Sequence, residues 1–145
     1  MVTGADLHDV VATRLRDAGQ RYTTGRRAIV DRLQAAGQPL TIPEVLAGST
    51  LPQSSAYRNL AVLEQAGAVH RIVTSADFAR YELAEDLTEH HHHLICSTCG
   101  TVEDFTAPPA LERSLHKAVT QVEGATGFAA EHHRLDLLGT CKSCA

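Results

Sequence analysis

Tryptophan is absent from this chain, and its 145 residues include only three tyrosines and three phenylalanines. Any core must therefore be built from small aliphatic side chains, and small cores of that kind often lean on a metal or a partner subunit. No apolar run approaches the roughly 18 residues that a membrane helix needs. The first residues, MVTGADLHDVV, carry acids early and lack the basic-then-apolar layout of a secretory signal. A cytoplasmic protein without membrane contact is expected. Lysine is scarce: Lys117 and Lys142 are the only two, and both fall in the second half. Also missing are an HExxH motif, an H-x-E…CxxC deaminase pattern and a convincing Ser/His/Asp set, so neither an enzyme nor a small organic substrate is expected.

What is present is globular material, 43% hydrophobic, with a net charge of −4. That charge is divided unevenly. Residues 1–82 carry nine arginines against eight acids, whereas residues 83–145 carry four cations against nine acids. Arginine suits bidentate contacts to phosphate and guanine better than lysine does, so the first half permits DNA binding.

The first half reads as helices. Leu7, Val10, Val11 and Leu15 recur at helical spacing over about 4–18, and Gly19 supplies a stop. Thr23 or Thr24 can cap a second helix that ends near Gly37. Thr41 with Glu44 forms a capping-box pattern for a short third helix. Pro52 sits where a first helical residue is tolerated, and Ala56, Leu60 and Leu63 form the inward stripe of a helix reaching Ala66. Ser54, Ser55, Arg58 and Asn59 fall off that stripe and face outward. Val69–Val73 and Phe78–Leu83 read as strands joined by Thr74-Ser75-Ala76-Asp77. Three short helices and a hairpin make a winged helix-turn-helix, with residues 53–66 as the helix entering the major groove. Residues 84–89, AEDLTE, read as a hinge. Beyond it come strands at Leu94–Ile95 and Val102–Phe105, a helix over Pro109–Val122 and a third strand over Phe128–Leu138. The expectation is an α+β chain in three parts. A DNA-binding domain occupies 1–83, a hinge 84–89, and an α/β dimerisation and metal-binding domain with a three-stranded sheet 90–145.

Cys96-Ser-Thr-Cys99 and Cys141-Lys-Ser-Cys144 form two CxxC knuckles. Disulfides and redox chemistry are alternatives, but two matched pairs in a reducing compartment point to a structural Zn²⁺ with a closed tetrahedral sulfur shell. Nine histidines are present, and four of them, His90-His91-His92-His93, run into Cys96. On a strand, alternate side chains face opposite ways, so His90 and His92 would serve one half-site and His91 and His93 another. Partners for these half-sites are available in His70, Glu82, Asp104, Glu112 and His133, and mixed His/carboxylate ligation suits Zn²⁺, Fe²⁺, Mn²⁺ or Ni²⁺. His8 and His116 read as ordinary surface histidines.

Several stretches together resemble the ferric uptake regulator family. They are Arg21-Tyr-Thr-Thr-Gly-Arg26, Ser55-Ala-Tyr57-Arg58-Asn-Leu60, Glu64-Gln-Ala-Gly67-Ala-Val69, His90 through Gly100, and Gly127-Phe…His133-Arg-Leu-Asp-Leu-Leu-Gly139-Thr-Cys141. The resemblance implies a homodimeric, metal-dependent transcriptional repressor on palindromic double-stranded DNA, controlling metal uptake and homeostasis genes. It implies DNA contacts from Tyr57 and Arg58, helped by Ser54, Ser55 and Asn59, with Arg26 on a phosphate. It groups His70, Glu82, His91 and His93 as a regulatory hinge site, with Asp104 replacing Glu82 in an iron- or peroxide-like arrangement. It groups His90, His92, Glu112 and His133 as a second site. Iron and peroxide sensors often place a histidine where this chain has Gln38-Pro39, and zinc sensors a cysteine where it has Ala84. His70 resembles a zinc-sensor wing position. Regulatory Zn²⁺ is therefore favoured, with Fe²⁺ or Mn²⁺, or a peroxide response, as the alternatives within the family. Outside it stand a metal-dependent hydrolase and a zinc-ribbon adapter that binds only protein. The adapter leaves the outward face at residues 54–59 unexplained.

Overall fold

A computed structural model describes residues 4–74 and 79–145 of the chain. Four helices come first: α1 (Gly4–Asp17), α2 (Thr24–Ala36), α3 (Ile42–Leu46) and α4 (Gln53–Gln65). Their boundaries follow local chemistry. The Thr23 side chain accepts the Arg26 amide at the start of α2, and Gly37 ends that helix at φ 62°, where a side chain would be strained. Thr41 and Glu44 satisfy each other's amides in the capping box of α3.

Each helix turns one apolar stripe inward. Leu7, Val11 and Leu15 of α1 meet Ile29, Val30 and Leu33 of α2, and Ala56, Leu60 and Leu63 of α4, in one core. Strands β1 (Val69–Ile72) and β2 (Arg80–Leu83) pair antiparallel, with His70 opposite Glu82. Leu40 bridges to Tyr81 and adds a third edge to the wing. The expected turn at Ser75–Asp77 and the expected strand start at Phe78 lie outside the described residues.

A 3-10 turn at Glu85–Leu87 occupies the stretch read as a hinge, and its Leu87 is buried in the N-terminal core. Strands β3 (His92–Cys96), β4 (Val102–Phe105) and β5 (Asp136–Gly139) form a sheet ordered β4-β3-β5. β3 runs antiparallel to β4 and parallel to β5, with helix α5 (Pro109–Thr126) in the crossover. Ile72 of the wing packs with Ile95 and Val102 of the sheet, so a small apolar contact joins the two halves. Arg80 adds a bond to the Gly100 carbonyl at 2.9 Å.

Three elements of the C-terminal half differ in extent from those expected. β3 begins at His92 and not Leu94, α5 continues to Thr126, where Gly127 takes the left-handed turn at φ 73°, and β5 starts only at Asp136. Residues 128–135 are not strand. They bend back across α5, where the Ala130 amide bonds Glu123 and His133 reaches Glu112. His8 is not a loose surface group either, because it bridges the Tyr22 hydroxyl at 2.5 Å and Asp31 at 2.7 Å, fastening α1 to α2.

Candidate metal centres and DNA-facing helix

Three groups of donor side chains converge, and each brings its ligand atoms within 4.8 Å of one another. The first is Cys96, Cys99, Cys141 and Cys144. No disulfide links them, and the Cys99 and Cys141 sulfurs stand 3.8 Å apart. The Cys99 and Cys141 amides both donate to Cys96 Sγ, at 3.5 and 3.3 Å. These amides pull the Cys96 thiol down to about 6, whereas hydrogen bonding with Cys141 and Cys99 pushes Cys144 up to about 12. Four thiolates at this spacing repel one another unless a cation sits among them. Four unbridged sulfurs on two knuckles fit the tetrahedral shell of zinc.

The second group spans the two halves. Glu82 comes from β2, His91 and His93 from the start of the sheet, and Asp104 from β4. His93 Nε2 lies 2.8 Å and His91 Nε2 3.1 Å from the Glu82 carboxylate, with Asp104 at 3.4 Å from His93 and 3.7 Å from His91. Each imidazole is also met from behind. His91 Nδ1 donates to the Glu89 carbonyl at 2.7 Å, and His93 Nδ1 lies 3.5 Å from Asp136. With its Nδ1 proton so engaged, a neutral His91 aims its Nε2 lone pair at a carboxylate, an arrangement that calls for a positive charge between them.

The proton affinities of this group record the same demand. Burial raises the Glu82 carboxyl, but the neighbouring imidazoles of His70, His93 and His91 outweigh it and hold it down to about 2. Burial and then the Glu82 charge push Asp104 up to about 6. Burial lowers His91 and His93, yet their hydrogen bonds and the neighbouring carboxylates prevail and raise both above the ordinary range. Asp104 Oδ1 and Asp136 Oδ1 are buried with no hydrogen-bond partner. Asp136 stands behind His93, but the orphaned Asp104 oxygen, on a carboxylate that faces both imidazoles, fits a divalent cation. His70 approaches Glu82 only to 3.9 Å and stands outside the group, where Asp104 takes the place the sequence reading gave it.

The third group is His90, His92, Glu112 and His133. Glu112, in the first turn of α5, receives His92 at 2.5 Å, His90 at 3.2 Å and His133 at 3.2 Å. Burial raises its carboxyl, but the His92 hydrogen bond and the three imidazole charges prevail and lower it. The pleat alternation thus extends two residues beyond the hydrogen-bonded part of β3, sending His90 and His92 one way and His91 and His93 the other. Asp136 and Glu85, which touch His93 and His90 respectively, escaped the sequence reading. Asp136 stands beside His93 only because β5 pairs parallel to β3, a register no local pattern announces.

On α4, Ala56, Leu60 and Leu63 face the core, while Ser54, Tyr57 and Arg58 are exposed and Ser55 and Asn59 half-buried. Arg26 is pinned: it donates to Asn59 at 3.0 Å and to the Arg21 carbonyl at 2.7 Å. This bond braces the N-terminal end of α2 against α4.

The ferric uptake regulator family model matches residues 17–138. The peroxide-responsive repressor PerR of Staphylococcus aureus is 28% identical over 144 residues, 96% of this chain and 91% of that protein. The ferric uptake regulator Fur of Helicobacter pylori, whose structure reveals three functional metal-binding sites, superposes with a TM-score of 0.77. It shows 26% identity over 98% of this chain and 93% of its own. The Pseudomonas aeruginosa regulator solved with manganese gives 0.69 and 27%, covering 90% of this chain and 96% of that one.

Proposed function

Because the chain belongs to the ferric uptake regulator family, we propose that it is a metal-dependent transcriptional repressor acting as a homodimer on a palindromic DNA site. One observation carries the reading: Glu82, from the wing of the DNA-binding half, meets His91, His93 and Asp104 of the sheet. A ligand set drawn from both halves holds them at one angle, and a cation can favour that arrangement only by binding it more tightly than any other. Bound there, a divalent cation supplies the positive charge that Glu82, Asp104 and the two imidazoles otherwise borrow from protons.

The remaining parts follow from the chain's own residues. The four cysteines tie the end of β5 to the sheet around a structural Zn²⁺. Tyr57 offers its ring to a thymine methyl, and Arg58 its guanidinium to guanine or phosphate. Ser54 and Ser55 stand beside them on α4, and Arg26 and Asn59 set the helix's pose through their mutual bond. None of the residues of α5 is buried in the single chain, and Leu137 and Leu138 of β5 are exposed. That face suits a second copy, which would place two α4 helices about one DNA turn, ~34 Å, apart.

Asp104 joins Glu82 in the hinge group instead of replacing it, and His70 stands outside; two carboxylates with two imidazoles suit a harder ion, so Fe²⁺ or Mn²⁺ is the regulatory ion favoured here. Zinc sensing is the second reading, since His70 needs only a small approach from 3.9 Å to join Glu82. The test is duplex DNA selected from a random pool, bound at controlled free Mn²⁺, Fe²⁺ or Zn²⁺ with the tetrathiolate zinc kept. The regulatory metal should raise affinity within the usual coupling range of about 5–150-fold. His91→Ala/His93→Ala should keep the fold and lose most of that gain. A metal-dependent gain left undiminished by the double substitution would refute the hinge assignment. Exposing the Fe²⁺-loaded protein to peroxide, with mass spectrometry of the His90–His93 peptide, separates a peroxide-responsive member from a metal-responsive one.

A further inference from the structure

The third donor group, His90, His92, Glu112 and His133, is made of C-terminal residues, yet the other half reaches it. Glu85, the first residue of the 3-10 turn, forms an ion pair with His90 Nδ1, while His90 Nε2 faces Glu112 at 3.2 Å. The turn itself is fastened to the DNA-binding half. The Ala84 amide donates to the Ala68 carbonyl at 2.9 Å, and Leu87 is buried in the helical core. The Asp86 carboxylate takes the Arg14 guanidinium of α1, with one contact at 3.2 Å. Arg14 also donates to the carbonyl of Gly67, just beyond α4, at 2.6 Å. The carboxylate behind His90 is thus carried on a frame made of α1 and the end of α4.

We propose that Glu85 is a positioning residue that couples the His90/His92/Glu112/His133 group to the DNA-binding half. The inference rests on the metal-dependent repressor reading and adds a second link between metal and DNA. The two nitrogens of an imidazole are electronically connected. When His90 Nε2 gives its lone pair to a cation, Nδ1 keeps its proton and becomes a stronger donor, so the bond to Glu85 tightens. By reciprocity, a turn seated firmly on α1 and α4 holds His90 ready and raises the affinity of the group for metal. His92 offers no such route, because its Nδ1 is buried without a hydrogen-bond partner. Glu82 links the hinge group to the wing directly, whereas Glu85 links this group to the helices through one ring.

The test uses the full chain with its tetrathiolate zinc, the hinge group silenced by His91→Ala/His93→Ala, and Co²⁺ as the probe. Glu85→Ala in that background should lower Co²⁺ affinity by about 10–100-fold, the usual effect of removing a group behind a ligand histidine. It should also remove any Co²⁺-dependent gain in DNA affinity. Glu85→Gln keeps an acceptor oxygen and should recover most of the affinity together with the parental Co²⁺ absorption spectrum. Arg14→Gln loosens the turn without touching His90 and should weaken Co²⁺ binding in the same direction. Unfolding of the Co²⁺-free variants should follow the parent. Parental Co²⁺ affinity and spectrum in Glu85→Ala would overturn the proposal, as would a DNA gain that persists there. A chain with all its ligands that gains no DNA affinity from any metal defeats the repressor reading instead, and the Co²⁺ comparison still decides the role of Glu85.

Discussion

Glu82 and Asp104 face the same two imidazoles but respond oppositely, one held down to about 2 and the other pushed up to about 6. The difference lies in their partners, since Glu82 receives the shorter imidazole contacts and Asp104 keeps a buried oxygen without a hydrogen-bond partner. A sign follows for the metal-free protein. His91, His93 and Asp104 all bind protons more tightly when folded, so their contribution is complete at low pH and is lost as pH rises through their folded values. Glu82 acts the other way, adding stability above its ordinary range and losing it as pH falls toward 2. From pH 6 to 8 the first three dominate. Metal-free protein with its tetrathiolate intact should therefore melt at a lower temperature at pH 8 than at pH 6, and Asp104→Asn should flatten that slope. Metal-loaded protein should show the opposite trend, because ligand imidazoles must be unprotonated. Calorimetric scans of the three samples at both pH values check this, and a slope identical in Asp104→Asn would contradict the assignment.

At the scale of elements, α4 separates packing from recognition. Leu60 is fully buried, so Leu60→Ala should cost about 2–5 kcal/mol in denaturant unfolding. Tyr57 is 54% exposed, and Tyr57→Ala or Arg58→Ala should shift stability by no more than about 0.5 kcal/mol while weakening DNA binding. Equal loss of stability in both classes would mean that Tyr57 is a core residue. The helices were legible because caps and stripes are local: Thr23, Thr41 with Glu44, and Leu60 with Leu63 each announce their role within one or two turns. The cysteine knuckles and the alternation of the four histidines were legible for the same reason. β5 was not. Its extent depends on parallel pairing with β3, and the preceding residues bend away to bring His133 to Glu112. Asp136, Glu85 and the exchange of His70 for Asp104 are likewise products of tertiary register.

For the whole molecule, the two halves differ in how far they are finished. The N-terminal half closes over a core of its own, whereas the C-terminal half leaves Val122 of α5 and Leu137 and Leu138 of β5 exposed, Leu138 by 72%. Such a face is completed by association. Leu138→Asp should shift the protein toward monomer in sedimentation velocity and lower DNA affinity, while the four thiolates still bind zinc. A dimer unchanged by the substitution would place the interface elsewhere.

The sulfur clamp at the chain terminus has a wider reach than its own metal. Cys141 follows β5 by two positions, so the clamp anchors the strand that sets Asp136 behind His93, with His133 just upstream. An electrophile that alkylates Cys144 would slacken this anchorage and disturb two histidine clusters at once. Chemical damage at the tail would then read as deafness to the regulatory ion, although no group that senses it contains a thiol.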